Sequence, residues 1–341
     1  MKRVKIGIAG LGRLGRTHAQ NLAFKIPQAE LTAACSIVDA ELDYAKNELG
    51  ITELYKDFSE MVNKADIDAV VIVTPSTEHP WQIEAALKAG KQVFCEKPLA
   101  VTIEECKATE KIVEQYPDQI VMLGFMRRFD PSYAYAKEKI KAGAIGQPYL
   151  VKATGIDPEA DCQSLIDSGF IPKSGGIFID MAVHDIDLMR WFLEADAKEV
   201  YALGCSFKHP EFKRDGDCET GCAMFEFENG AMGQIHVGRT APHGYHIETE
   251  IVGTEGSIRI SPVPAKNLAI LYDTNGVVQE CVRNFPERFS ESYVLELEEF
   301  INCVIHKTKP SVTVYDGTKA TQMAFAAKAA FENHVVTPVE H

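Results

Sequence analysis

No stretch of the 341-residue chain approaches the roughly eighteen consecutive apolar residues that a membrane span requires, so no transmembrane helix is expected. Basic residues are the minority, with 35 Lys and Arg against 49 Asp and Glu and a formal net charge of −14. A general nucleic-acid binder must present clustered cations to phosphates, and this balance runs the other way. A local basic pocket for a cofactor phosphate is compatible with it. Low-complexity tracts, long charge runs and internal repeats are also missing, which implies order almost from end to end. The nine cysteines, scattered from Cys35 to Cys303, include no Cys-x-x-Cys pair. Cys218 and Cys222 stand closest, without a matching second pair to suggest zinc, so reduced thiols in a cytoplasmic enzyme and no metal are expected. The start Met1–Ile6 has the charge of a signal-peptide n-region, but the following apolar run is short and interrupted by Arg13 and Arg16, so a secretory leader is not expected.

What is present is an ordinary globular balance, 46% hydrophobic and 25% charged, in a chain long enough for two domains. From Val4 to about Gly124, apolar runs (Val4–Ala9, Leu31–Ile37, Ala69–Val73, Gln92–Cys95, Ile120–Leu123) alternate with segments of helical period (Leu14–Phe24, Glu41–Leu49, Pro80–Lys88, Ile103–Gln115). Continuously apolar strands separated by helices predict a doubly wound parallel sheet covered on both faces, a Rossmann domain over residues 1–124. After Asp130 the rhythm changes. Helices near Pro131–Ala142 and Ile177–Leu193 flank a strand near Tyr149–Thr154, and strand-like runs then follow from Val200 to Val282. Asn229-Gly230 and Asn275-Gly276 read as hairpin turns, because both residue types accept positive φ. Helices near Ser290–His306 and Asp316–Asn333 close the chain. Residues 125–341 are therefore expected to form an α+β domain with a large, mainly antiparallel open sheet that binds substrate and mediates oligomerisation.

Gly10-Leu11-Gly12-Arg13-Leu14-Gly15 follows the first strand and opens the first helix. In that context the first glycine permits a tight turn, the second lets backbone approach a pyrophosphate, and the third allows helix to pack on strand, with the helix N-terminus attracting the negative charge. Gly10, Gly12, Arg13 and Leu14 are thus candidate dinucleotide contacts. Asp39 follows the second apolar run at about the distance of a ribose-binding carboxylate, which would repel a 2′-phosphate and favours NAD over NADP; an ordinary turn aspartate gives the same pattern. Thr74 and Pro75 end the third run and His79 precedes the next helix, at the carboxyl end of a parallel strand where ligands bind; His79 also suits a plain helix start.

Glu96-Lys97-Pro98 ends the fourth run. A lysine there can hydrogen-bond a substrate hydroxyl and help carry its proton, although a surface lysine paired with Glu96 fits equally. In Gly175–Asp187, Asp180, His184 and Asp187 recur at i, i+4 and i+7 beside an apolar stripe of Ile179, Val183 and Ile186. A neutral histidine supported by an aspartate can take the proton of an alcohol during oxidation. A solvated helix face produces the same spacing.

Together these features resemble the glucose–fructose oxidoreductase/inositol dehydrogenase (Gfo/Idh/MocA) family over nearly the whole chain. The matching pieces are Gly10–Gly15, Glu96-Lys97-Pro98, Gly124–Asp130, Gly175–Asp187, Gly244-Tyr245, Glu250–Gly253 and Asp316-Gly317. Within the family the chain looks most like the inositol 2-dehydrogenases. The resemblance implies that Lys97, Asp180 and His184 are catalytic, that Glu96 and Lys97 also border the cofactor, and that Arg127, Asp187 and Tyr245 contact substrate. It also implies NAD as cofactor, a cyclic polyol as substrate, a cis Lys97–Pro98 peptide, and homotetramers built by sheet-to-sheet packing, with no nucleic-acid or membrane partner. One departure stands out: where myo-inositol dehydrogenases carry a His-Arg-Asn-like segment, this chain has Ile156-Asp157-Pro158. Asp157 can still bind hydroxyls, so oxidation of myo- or scyllo-inositol to the inosose is the expected activity. Another cyclic polyol or aldose, a non-catalytic dinucleotide-sensing regulator and an NAD-dependent glycosidase are the alternatives.

Overall fold

The computed structural model of the chain describes residues 3–260, 264–274 and 276–340. Six strands, β1 (Val4–Ala9), β2 (Ala29–Cys35), β3 (Glu53–Tyr55), β4 (Ala69–Ile72), β5 (Gln92–Glu96) and β6 (Val121–Gly124), form a sheet in the order β3-β2-β1-β4-β5-β6. Every pairing is parallel. The crossovers are α1 (Arg13–Phe24), α2 (Asp39–Leu49), α3 (Phe58–Lys64), α4 (His79–Lys88) and α5 (Ile103–Val113). Helices on both faces explain why β4 and β6 are buried at every position. Strand order reverses between β1 and β4, so the loops after these two strands part at a switch point. β3 and α3 lie in a stretch where the apolar pattern predicts no element. β3 has three half-buried residues at the sheet edge, too few for a periodic signal. Asp57 caps α3 by accepting from the Glu60 N–H.

The later elements are α6 (Pro131–Lys141), β7 (Pro148–Pro158), α7 (Cys162–Asp167), α8 (Ile177–Asp180), α9 (Val183–Leu193), β8 (Ala197–Cys205), α10 (Glu211–Arg214), β9 (Thr220–Phe227), β10 (Met232–Ala241), β11 (His246–Gly253) and β12 (Ser257–Ile260). They are followed by β13 (Ala265–Asp273), β14 (Gly276–Cys281), α11 (Phe285–Arg288), α12 (Ser292–His306), α13 (Val314–Asn333) and β15 (Thr337–Pro338). A seven-stranded sheet runs β12-β11-β7-β10-β9-β8-β15. It is antiparallel except where β7 pairs with β10. β13 and β14 stand apart as a two-stranded ribbon rather than joining the large sheet. Asn229-Gly230 makes the expected β9–β10 turn, with Gly230 at φ 80° and the Asn229 side chain accepting from Ala231 N–H. Asn275 of the other expected turn lies outside the described residues.

The single helix expected over Ile177–Leu193 is two helices, broken at Met181–Ala182. Ala182 N–H reaches back to the Ile177 carbonyl, five residues away, so the ladder slips by one residue between Asp180 and His184. Gly233 and Gly221 bring this segment close to the sheet. A Cβ on the first would lie 2.6 Å from Met189 Sδ, and one on the second 2.8 Å from the Phe178 ring.

Two compact units result. One comprises Met1–Phe129 with Glu291–Thr321, the other Asp130–Ser290 with Gln322–His341. The division thus falls at Phe129 rather than at 124, and α12, placed by sequence in the second domain, returns to the first unit. Its stripe explains why: Leu297, Phe300, Ile301 and Cys303 share a buried cluster with Val4, Ile6, Ile8, Leu22 and Phe94. The start of α13 belongs there too, where Gly317 lies so close to Leu123 that a Cβ would come within 2.5 Å of its side chain, and Asp316 pairs with Arg128 at 3.0 Å.

Candidate active site

In the first unit the glycine-rich turn has the geometry that its three glycines demand. Gly10 sits at φ 83°, and a Cβ there would lie 2.5 Å from the Val73 carbonyl oxygen. A Cβ on Gly15 would lie 2.1 Å from the Gly10 carbonyl oxygen, so only glycine lets α1 approach β1 this closely. Gly12 is different: the nearest group to a Cβ there is Glu41 Oε1 at 3.9 Å, which leaves its backbone open to a ligand. Gly12 is also the N-cap of α1 and supplies no side-chain cap, so the N-terminal N–H groups of α1, which begins at Arg13 and Leu14, suit an anion. These features fit a dinucleotide pyrophosphate. Gly15→Ala is expected to cost about 1–3 kcal/mol of stability by overpacking. It should also weaken NAD binding at least about tenfold, the equivalent of one phosphate hydrogen bond, measured by quenching of protein fluorescence.

The ribose side departs from the sequence expectation. Asp39 is the first residue of α2, exposed and paired with Lys56 at 2.5 Å. The carboxylate that turns to the glycine loop is Glu41, whose Oε2 accepts from Leu11 N–H at 3.1 Å and from Ser36 Oγ at 2.6 Å. β2 ends at Cys35, Ser36 follows it, and α2 begins at Asp39 and carries Glu41 in its first turn. The signal for Glu41 was present as an acid in the first turn of α2, but its pairing with Leu11 spans thirty residues. His79 is buried, with Nδ1 2.8 Å from the Pro98 carbonyl and Nε2 3.0 Å from the Thr74 carbonyl, and so ties the β4 and β5 loops together. Burial lowers its pKa against the opposing pull of those two carbonyls. Thr74 Oγ1 donates to Gln82 Oε1 at 2.6 Å, and Pro75 is exposed beside it.

Lys97 follows β5 through a cis bond to Pro98. Glu96 turns inward rather than outward: Oε1 lies 2.6 Å from His18 Nε2, and Oε2 accepts the Lys97 backbone N–H at 3.2 Å. Arg127 is buried in a short 3₁₀ turn, Met126–Phe129, after β6.

The second unit organises its candidates around a residue that sequence reasoning missed. Arg239, on β10, is 2% exposed; its Nη2 donates to Asp180 Oδ2 at 3.0 Å, and its Nη1 lies 3.7 Å from Asp157 Oδ2 on β7. Burial works against the guanidinium charge, but the carboxylates of Asp180 and Asp157 outweigh it and raise the pKa. Asp217 anchors the start of α8 by accepting from the Ile177 N–H at 3.0 Å. Burial pushes its carboxyl up, partly offset by backbone donors and Arg239. Two sequence-expected acids, Asp157 and Asp180, are thus joined by one cation. His184 is half-buried on the first turn of α9, with Asp187 buried one turn further on. Tyr245 is buried in the loop between β10 and β11, its ring edge-on to Phe289. Arg239 carries no local motif, and its partners lie far along the chain. Among the described residues no helix is long and apolar enough to cross a membrane.

Known proteins align with this geometry from end to end. Residues 4–125 match the model of the GFO/IDH/MocA oxidoreductase family with its NAD-binding Rossmann fold, and residues 133–259 match the model of a GFO/IDH/MocA C-terminal domain. The NAD-dependent scyllo-inositol 2-dehydrogenase of Bacillus subtilis is 38% identical over 97% of this chain and 95% of its own. The crystal structure of Lactobacillus casei scyllo-inositol dehydrogenase with bound NAD(H) and scyllo-inositol superposes with a TM-score of 0.96 at 45% identity, covering 99% of both chains. The myo-inositol 2-dehydrogenase of Lactobacillus plantarum superposes with a TM-score of 0.95 at 38% identity, covering 99% of this chain and 100% of that one. With both family models matched in order and the similarity running the length of the chain, the protein belongs to the GFO/IDH/MocA family of NAD-binding oxidoreductases.

Proposed function

We propose that the protein is an NAD-dependent inositol 2-dehydrogenase, with scyllo-inositol as its preferred substrate. The observation that carries this reading is the match along 99% of both chains, at 45% identity, to a scyllo-inositol dehydrogenase solved with NAD(H) and scyllo-inositol. Bound NAD+ supplies the hydride acceptor. The protein's own residues handle the proton and the ring. His184 takes the hydroxyl proton as the C–H hydrogen leaves with its electron pair, and the carbon becomes a ketone. Asp180, held by Arg239, supports His184, and Lys97 hydrogen-bonds the reacting oxygen and stabilises its alkoxide character. Arg127, Asp157, Asp187 and Tyr245 fix the remaining hydroxyls, since a polyhydroxylated ring needs many directed hydrogen bonds. Gly10, Gly12, Arg13, Leu14, Thr74 and Pro75 cradle the cofactor; Glu41 takes the part first read for Asp39, and His79 acts by tying the two loops together.

Steady-state kinetics on scyllo- and myo-inositol, with NAD and NADP side by side, test this. The expected kcat/KM is at least about tenfold higher for scyllo-inositol, the worth of one directed hydrogen bond. A preference for myo-inositol overturns the epimer assignment. Tight NAD binding with no turnover across a polyol panel favours the regulator instead.

We further infer a cytoplasmic homotetramer. All nine cysteines are free thiols, consistent with a reducing compartment. One face of the seven-stranded sheet exposes Tyr201, Leu203, Met224 and Met232, and the register sets Tyr201 beside Met224 and Leu203 beside Cys222. An apolar sheet face of this kind suits packing against a second copy. Light scattering should give four times the chain mass; a monomer would contradict it.

A further inference from the structure

Three ionisable side chains from distant parts of the first unit meet in its interior. They are His18 on α1, Glu96 at the end of β5 and Glu296 on α12, with 0%, 5% and 0% of their surfaces exposed. His18 Nε2 lies 2.6 Å from Glu96 Oε1 and 4.0 Å from Glu296 Oε1. Neither oxygen of Glu296 has a hydrogen-bond partner among the described residues. Glu296 sits on the buried stripe of α12 with Tyr293, Leu297 and Phe300, where an apolar residue would pack at lower cost. The sheet makes room for the group: a Cβ on Gly124, the β6 partner of Glu96, would lie 3.2 Å from the Glu96 carboxyl carbon. The rings of Phe94 and Tyr293 meet His18 edge-on and seal it from solvent.

The distances do not describe a metal centre. Two ligands bound at about 2.1 Å in a tetrahedral site stand roughly 3.4 Å apart, well beyond the His18–Glu96 separation, which is that of a hydrogen bond.

We propose that His18 and Glu296 are positioning residues for the oxidation, acting through Glu96 on the backbone of Lys97. The proposal rests on the reading of Lys97 as the group that meets the substrate hydroxyl. Glu96 is the link, with one oxygen on His18 and the other on the Lys97 N–H, so its orientation sets where the Lys97 loop begins. Glu296 closes the cluster from behind, where burial favours its neutral form over a second carboxylate charge beside His18. Burial, reinforced by the charge of Glu96, pushes the Glu296 carboxyl well above the usual carboxylate range. The titratable groups around it are His18 from α1, Glu96 from β5, and Tyr293 from α12 itself. Burial, reinforced by the same Glu96 charge, also pushes the Cys95 thiol up. Because the folded pKa of Glu296 is raised, its stabilising contribution is fully present below its unfolded pKa of about 4.3 and is lost as pH rises through the folded value.

The test compares full-length Glu296→Gln, Glu296→Leu and Lys97→Ala in the NAD-saturated enzyme. Glu296→Leu should lower kcat about tenfold or more with little change in KM for NAD, because a displaced loop costs transition-state alignment rather than cofactor binding. Glu296→Gln, a neutral mimic, should restore most of that loss and should lose less stability than the parent between pH 5 and 9 in urea denaturation. Parent kcat and pH profile in Glu296→Leu, or equal losses in both Glu296 variants, would overturn the proposal. So would activity removed by a chelator and restored by zinc or manganese. Full activity in Lys97→Ala would instead defeat the underlying reading of Lys97. An inactive Lys97→Ala beside an unaffected Glu296→Leu defeats only the positioning role.

Discussion

Replacing His184 with asparagine is expected to lower kcat for inositol oxidation by about 10²–10⁴-fold, the usual contribution of a general base. The change keeps a polar side chain of similar size on the first turn of α9, where His184 is half-buried, so folding should survive. NAD affinity should be unchanged, because the NAD-binding family match covers residues 4–125, and the cofactor elements proposed above lie in the glycine-rich turn and the loops after β4 and β5. The informative comparison is therefore kcat against the dissociation constant for NAD, with proton release followed by an indicator dye. Below the pKa of the substrate's activated hydroxyl the residual rate should rise with pH, since hydroxide can take the proton that His184 otherwise removes, and it should level off above that pKa. Parent kcat in the variant would remove His184 from the chemistry and leave Asp180 and Lys97 to account for it.

Arg239→Leu should be the most damaging single substitution for stability, at about 3–5 kcal/mol, because it strands buried or half-buried carboxylates without their cation. Asp180 loses a 3.0 Å charged hydrogen bond, and Asp157 and Asp217 lose an opposing charge. Asp217, already pushed up by burial, should then titrate higher still and weaken its hold on the start of α8. Arg239→Lys keeps the charge but not the planar fork, so it should recover part of the stability and less of the rate. Urea denaturation at pH 7, with kcat measured on the soluble fraction, checks both. Equal stability in Arg239→Leu and parent would show the pair to be energetically idle.

Much of the cofactor side could be read from sequence because its determinants are local. A strand, three spaced glycines and a helix start fit within Val4–Phe24, and Gly15 is crowded by Gly10 inside the same turn, although the Val73 carbonyl that crowds Gly10 comes from the end of β4. The same locality explains the Asn229-Gly230 turn. Sequence and structure differ where a short-range pattern meets a long-range constraint. Asp39 stands near the expected distance along the chain, but the strand ends earlier and Glu41 reaches the glycine turn instead. Asp180 and His184 share helical spacing, but the helix breaks between them at Met181–Ala182, where the Ala182 N–H reaches back to the Ile177 carbonyl.

Sequence alone determined the doubly wound first unit, the mainly antiparallel second one, the family, and the residue types available for hydride and proton transfer. Periodicity and steric exclusion operate over a few residues and survive without knowledge of the fold. Only the tertiary structure decided which charges meet. Arg239 joins Asp180 across 59 residues, His18 joins Glu96 across 78, and α12 crosses back to place Glu296 beside His18 and Glu96. Such pairs form because burial makes an uncompensated charge too costly to leave alone, and burial is a property of the folded chain as a whole.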